Sequence, residues 1–478
     1  MVRLLFLLLT VTLFANPENG NVTGGRALIL DEGSKLLKIH TDRRAVINWD
    51  SFSIEEDEIV RFFHQFKNSA VLNRVTGSDS SQILGKIQST GRVYIINENG
   101  IFIGKDALID VSSLVCSTLD LPDQDFMRDQ DLRFFGASDA SLVNFAEIKA
   151  REGDILLLSH RIENHGALKA PEGRVQLGSG HDILVAVKGK ELLLVKPKLP
   201  GDGILNNGTI EALQTLLESN ANPLSLGIQN EGRIDALNLE EEGGEIFLRA
   251  IGGKITNSGE LHADGGTISF ESQGASIENA HLIRTPSGLV SIVSKEEGTS
   301  PSSFLNKGVI DVTSENPGEI QIQSTKILQE GELFANGKGG KITILPSGEY
   351  ISSAQSIISA NGQEGEISIC GGNVLNCGTF EAKGYIGGKV SIFSETITSE
   401  SGLFDVSGQI QGGDISLIST SSDTPLKLKP KTILDTCAYM KGPSGNVELL
   451  SRPRPKCNAN IKMDGVKAGK LTISLFDE

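Results

Sequence analysis

Glycan-cleaving enzymes work with clustered carboxylates, sometimes beside calcium, and with a proton donor or base. The chain carries acids in two runs, Glu55-Glu56-Asp57-Glu58 and Glu240-Glu241-Glu242. Adjacent like charges favour water, so both runs read as solvated faces or turns rather than as a paired acid and base. Gly180-His181-Asp182 echoes part of a pectinase signature, but the Asn-Thr-Asp, Gly-Asp-Asp, Gly-His-Gly and Arg-Ile-Lys series that would accompany it are absent. His160 and His165 stand five apart in a turn, too few donors for a metal without further ligands. No Walker loop, no Gly-x-Ser-x-Gly and no His-Glu-x-x-His occurs. The expectation is a non-enzyme with no catalytic residue, no metal and no cofactor.

The five cysteines divide by setting. Cys116 lies in an apolar run, Leu114-Val115-Cys116, and reads as a small buried hydrophobe. Cys370 with Cys377, and Cys437 with Cys457, form two local pairs that would be candidate disulfides in an oxidising compartment. No Cys-x2-Cys spacing favours metal instead.

The elements that must position these residues follow from composition. Glycine is 54 of 478 residues, aromatics are 5% and hydrophobics 38%. That combination suits short strands punctuated by tight turns. The net charge of −16 removes the electrostatic term that nucleic-acid binding requires, so no nucleic-acid partner is expected. Met1-Val2-Arg3, an uncharged run from Leu4 to Phe14, and Ala15 before Asn16-Pro17 read as a secretory signal peptide over residues 1–15.

From about residue 140 a phrase recurs. Asn207-Gly208-Thr209-Ile210-Glu211-Ala212, Asn230-Glu231-Gly232-Arg233-Ile234-Asp235-Ala236 and Asn257-Ser258-Gly259-Glu260-Leu261-His262-Ala263 are three copies. A second phrase, glycine then any residue then Ile, Val or Leu, recurs at Gly244, Gly266, Gly288, Gly318, Gly340, Gly365, Gly388, Gly413, Gly445 and Gly469. Most intervals lie at 22–25 residues, which marks a solenoid. Apolar and polar residues alternate within copies, as in Gly340-Lys341-Ile342-Thr343-Ile344, which is strand periodicity. The prediction is an all-β parallel β-helix with about 22–25 residues and three short strands per coil. Glycines are expected to supply left-handed corner turns, and asparagines to serve at corners or in amide ladders.

The N-terminal third carries the specific signal. In order come Ile47-Asn48-Trp49-Asp50-Ser51-Phe52, Val71-Leu72-Asn73-Arg74-Val75, Ser81-Gln82-Ile83-Leu84-Gly85-Lys86-Ile87, Gly91-Arg92-Val93-Tyr94-Ile95-Ile96-Asn97-Glu98-Asn99-Gly100-Ile101, and Ser117-Thr118-Leu119-Asp120. This series resembles the secretion domain of two-partner secretion exoproteins, the filamentous-haemagglutinin family. The resemblance implies a right-handed β-helix exported through the periplasm to the cell surface or medium. It implies recognition of the N-terminal domain by the POTRA domains of an outer-membrane β-barrel transporter, and in many members an adhesin that meets a host or neighbouring-cell receptor or glycan. It divides the chain into a leader at 1–15, a secretion domain at 16–180 and a repeat region at 181–478. It offers Asn73, Arg74, Asn97, Asn99 and Gly100 as candidates for transporter recognition. Glu98 stands where the family's turn has proline, and Ser112-Ser113 where it has paired glycines. Segment 120–140 is expected to leave the helix as an outer element, and the basic stretch from Lys427 to Lys456 to act as a cap or tether. The glycine phrase runs on to Gly469, so no separate C-terminal toxin domain is expected. A β-helical glycan-active enzyme remains the rival reading, since fold alone does not settle function.

Overall fold

An alternating strand turns one row of side chains inward and the other to solvent. Lys341–Ser352 does so, with Ile342 and Ile344 buried and Lys341, Leu345 and Ser347 outside. The computed structural model describes residues 17–475 except 32–34, 67, 129, 187–192, 197–199, 222–225, 238–242, 298–301 and 441. The signal peptide at 1–15 and Glu240-Glu241-Glu242 lie outside the described residues.

Among the described residues the chain winds a parallel β-solenoid of about 17 turns. Each regular turn has three faces. Glu245–Ile251, Lys254–Asn257 and Glu260–His262 form one turn. Thr267–Gln273, Ile277–Asn279 and Leu282–Arg284 form the next. The register places like on like: Ile246 lies beside Ile268, Ile268 beside Val290, and Ile320 beside Ile342. These residues belong to one continuous core running through the stack. The single described helix is short, Asp123–Arg128.

The glycine phrase has a different cause from the one expected. None of the ten ruler glycines has positive φ; that conformation falls on neighbours such as Gly265 and Gly339. A Cβ on Gly266 would overlap the carbonyl oxygen of Gly244, and one on Gly318 that of Gly288. Gly266, Gly288 and Gly318, and again Gly388, Gly413, Gly445 and Gly469, each seat on the ruler glycine one coil before, while Gly340 and Gly365 press on the carbonyls of Ala335 and Ala360; in either case a side chain has no room.

The asparagines do form an amide ladder. Asn144 Nδ2 donates to Asn164 Oδ1 at 2.9 Å, Asn164 to Asn206 at 2.8 Å, and Asn206 to Asn230 at 2.8 Å. Asn230 donates to Asn257 at 2.8 Å, Asn257 to Asn279 at 2.9 Å and Asn279 to Asn306 at 2.9 Å. Gln329 closes the series at 3.4 Å. The rung in the Asn207-Gly208 copy is the preceding Asn206. All these amides are fully buried, and none of the asparagines has positive φ.

Both candidate disulfides are corrected: all five cysteines are free. Residues one coil apart meet, and shorter spacings fall on other faces. Cys370 ends strand Glu366–Cys370, whereas Cys377 follows Asn373–Asn376 on the next face. Cys437 meets Asp464, whose amide lies 3.4 Å from its sulfur, while Cys457 pairs with Leu428. Burial pushes the Cys116 thiol up to about 12, in keeping with a neutral small hydrophobe. In the segment expected as a cap or tether, Lys427 lies beside Lys456 in a parallel pairing between coils. At the N-terminal end, Asn21–Asp31 pairs antiparallel with Leu36–Trp49 and closes the stack.

Replacing Asn257 by Ala leaves Asn230 Nδ2 and Asn279 Oδ1 without their ladder partners. The expected loss is about 1–3 kcal/mol for each stranded group, read as a lower urea midpoint. Gly266→Ala should lose more, because its clash is with backbone. Unchanged midpoints would sink the ladder and the glycine contacts as structural devices.

Candidate functional site

Strand Ala70–Val75 lies parallel between the end of Leu36–Trp49 and Arg92–Ile96. Asn73 points inward and is fully buried. Its Oδ1 accepts Trp49 Nε1–H at 3.1 Å, and its Nδ2 donates to the Tyr94 carbonyl at 3.1 Å. Arg74 points outward but is covered. Its guanidinium pairs with Asp120 at 2.8 Å and Asp123 at 2.6 Å, and donates to the Leu121 carbonyl at 2.6 Å. Burial works against the charge, but the two carboxylates outweigh it and hold Arg74 above its usual range.

Asn97 lies on the next turn, just past Ile96, which is the register partner of Arg74. It is buried, with Nδ2 donating to the Asp79 carbonyl at 2.9 Å and to Ser81 Oγ at 3.0 Å. Its Oδ1 accepts the Asn99 backbone N–H at 2.9 Å. Asn99 Nδ2 donates to the Gly77 carbonyl at 2.9 Å. Gly100 completes the turn at φ 113°, a conformation that excludes most side chains. The turn tip, Glu98 and Asn99, is exposed. The structure therefore brings the five candidates to one corner of successive turns, but only Asn99 offers its side chain to solvent.

The 120–140 excursion is part of a larger flap. Leu132–Phe135 pairs antiparallel with Asp182–Val185, which pairs with Leu193–Val195. This small sheet spans both sides of position 180. With the short helix it buries a second apolar cluster, including Leu72, Tyr94, Phe126, Phe134 and Ile183, against the outer side of the solenoid. A crevice of about 240 Å³ remains between flap and coil, lined by Arg92, Ser112, Ser113, Glu152, Asp154 and Gln176. Burial raises the Asp154 carboxyl above its usual range, although Oδ1 accepts the Arg174 N–H at 2.8 Å.

His160 and His165 do not converge. His165 stacks on Phe145 at 4.6 Å and meets Glu163 at 3.2 Å. His160 turns the other way, to His181 at 3.0 Å. Sequence reading treated these histidines as local motifs and missed the signal that relates them: Asp139, His160, His181 and Asp202 recur every 21 residues.

Arg74→Ala should free the flap while leaving the coils closed. Hydrogen exchange at Phe126 and Phe135 should speed up by roughly tenfold or more, with the amides of Arg92–Ile96 unchanged; equal loss in both places would make Arg74 a residue of the whole nucleus. His64 supplies a pH test. Burial holds its imidazole down at about 4, with Thr41 Oγ1 at 2.6 Å and Ser89 Oγ at 2.9 Å. The unfolded imidazole titrates near 6.5, so the unfolded state binds the extra proton first. Stability should fall as pH drops from about 6.5 to about 4 and this contribution should level off below. His64→Gln should flatten that part of the profile in pH-resolved thermal melts.

The model of a family described as the TPS secretion domain matches residues 15–344. The heme/hemopexin-binding protein of Haemophilus influenzae strain Rd is 27% identical over 209 residues, covering 41% of this chain and 23% of that protein. A second Haemophilus influenzae protein of the same name is 40% identical over 78 residues, covering 16% of this chain and 8% of its own length. The chain thus spans less than a quarter of the length of these curated relatives. Among solved structures, the HMW1 secretion domain from Haemophilus influenzae has a TM-score of 0.36 and 19% identity, covering 96% of this chain and all of that one. The filamentous hemagglutinin secretion domain has a TM-score of 0.34 and 13% identity, covering 60% and 98%. With a family match over most of its length, the chain belongs to the TPS secretion domain family.

Proposed function

We propose that this chain is an exported cargo of two-partner secretion. In this reading its N-terminal nucleus is recognised in the periplasm by the POTRA domains of a dedicated outer-membrane β-barrel, and the solenoid then acts as a non-catalytic adhesin at the cell surface or in the medium. The observation that carries the export reading is the family match over residues 15–344, which takes in the nucleus and the coils stacked on it. Accessibility narrows the recognition candidates. Asn73, Arg74 and Asn97 are engaged internally, so the exposed tip at Glu98 and Asn99 is the part a transporter would touch. Each coil buries its core against its nearest-neighbour coils, so folding outside the cell can add one coil at a time onto those already formed and oppose backsliding.

For adhesion, the supporting feature is a spur at the corner between the third and first faces. Gly384–Ile386 pairs with Gly408–Gln411, and Gly408 bridges to Ala438. The spur carries Tyr385, Tyr439 and Met440, all more than half exposed. Exposed aromatics of this kind suit a receptor or glycan surface. The names of the curated relatives make a heme-carrying host protein one receptor worth including in a binding screen. The crevice beneath the flap, with Glu152 and Asp154, is where the rival reading as a glycan-active enzyme would find its acids.

Export is tested by expressing the chain with and without the candidate barrel and assaying intact cells and medium. Appearance outside should depend on the barrel and fall with Asn99→Ala, and Ile342→Pro with Ile344→Pro should slow arrival. Export indifferent to the barrel would overturn the reading. Tyr385→Ala with Tyr439→Ala should reduce cell binding by at least about tenfold without changing export. Glycan cleavage that disappears in Asp154→Asn would replace the adhesin with the enzyme.

A further inference from the structure

We propose that Asp139, His160 and His181 form a site for one divalent transition-metal ion of the zinc class, which clasps the outer flap to the corner of the solenoid. The three residues come from three different places in the fold. His160 sits at the corner between the first-face strand Ile155–Ser159 and the second-face strand Arg161–Asn164. His181 lies where the chain leaves the first face to enter flap strand Asp182–Val185. Asp139 lies on the return from flap strand Leu132–Phe135 to the coil at Ser141–Asn144.

The donor atoms define the site. His160 Nδ1 and His181 Nε2 are 3.0 Å apart, and each is 3.8 Å from Asp139 Oδ1. A point equidistant from the corners of that triangle lies about 2.1 Å from each, which is the distance zinc takes to imidazole nitrogen and carboxylate oxygen. Three protein donors leave a fourth tetrahedral position for water. The outer nitrogens are also provided for. His160 Nε2 lies 3.4 Å from Asp202 Oδ2, and His181 Nδ1 lies 3.2 Å from the Gly136 carbonyl. An acceptor behind each ring is the arrangement that orients metal-bound histidine.

Those acceptors also fix the tautomers. A carbonyl at His181 Nδ1 and a carboxylate at His160 Nε2 each call for an N–H. In neutral rings this leaves His160 Nδ1 and His181 Nε2 as lone pairs facing each other at 3.0 Å. Two lone pairs at that distance repel unless a cation lies between them. The two imidazoles are mostly shielded, with side chains 13% and 8% exposed, whereas Asp139 is 82% exposed and closes the site from the solvent side. Imidazole with carboxylate suits zinc, copper or nickel rather than calcium or magnesium. Because the ligands lie one coil apart in sequence, the site exists only after successive turns have stacked, so the ion binds the folded chain and not one in transit.

The experiment uses the full purified chain, stripped with a chelator and titrated near neutral pH with Zn²⁺ alone by calorimetry and with Co²⁺ alone by visible absorption. One equivalent should bind, with cobalt bands of a tetrahedral site. His160→Ala with His181→Ala should weaken binding at least about a hundredfold, and Asp202→Asn about tenfold. The exposed carboxylate variants Asp139→Asn and Asp202→Asn keep the test meaningful if the histidine variant fails to fold. Bound zinc should also slow amide exchange at Phe135 and Gly136. No binding at about 100 μM Zn²⁺ would overturn the proposal in favour of a shared proton. Binding untouched by the histidine and carboxylate variants would place the ion elsewhere and overturn it too. Binding without slower flap exchange would overturn the clasp.

Discussion

The amide ladder is the directional interaction that sets the register of the central turns, from Asn144 to Gln329. An apolar core alone would let one coil slide or rotate over the next, because aliphatic contacts are not directional. A buried carboxamide tolerates no such slip, since an unpaired amide in that interior costs free energy that a paired one does not. The amides from Asn144 to Gln329 therefore register the turns they span on their neighbours, and beside the ladder Gly208, Gly232 and Gly259 each seat on the backbone of the coil before. The aliphatic columns gain from that alignment rather than create it.

The N-terminal turns meet a different constraint. Their first-face strands are apolar on both sides, and the outer side needs a cover. The flap supplies it, and Arg74 ties the flap down through Asp120 and Asp123. Within the coils, Asn73 bonds to Trp49 and Tyr94 and Asn97 to Asp79 and Ser81, while the Glu98-Asn99 tip stays in water. Beyond the flap, the Tyr385 and Tyr439 spur projects from a corner of the later turns.

How much could be read from the chain follows the range of each interaction. Features repeated every coil were legible: Ile342 and Ile344 alternate with polar neighbours, and the asparagines recur before glycine. The cause of the glycines was not, because close backbone approach and a left-handed turn leave the same residue in the sequence. In Ala70–Val75 nearly every residue is buried, so inward and outward parity cannot be assigned from hydrophobicity, and Asn73 and Arg74 looked equivalent. The two cysteine pairs misled for a related reason: nearness along the chain is not nearness in a solenoid, where the neighbour of Cys437 is Asp464.

The sequence by itself determined the period, the strand character, the all-β solenoid and the likeness of the N-terminal third to a secretion domain, because each depends on local alternation or on ordered motifs. Only the tertiary structure decided which motif residues are buried, that the cysteines stay apart, that segments some fifty residues apart form one flap, and that Asp139, His160, His181 and Asp202 meet at one corner. Those outcomes depend on the length of a coil in space, and a one-residue difference in that length moves a side chain to another face.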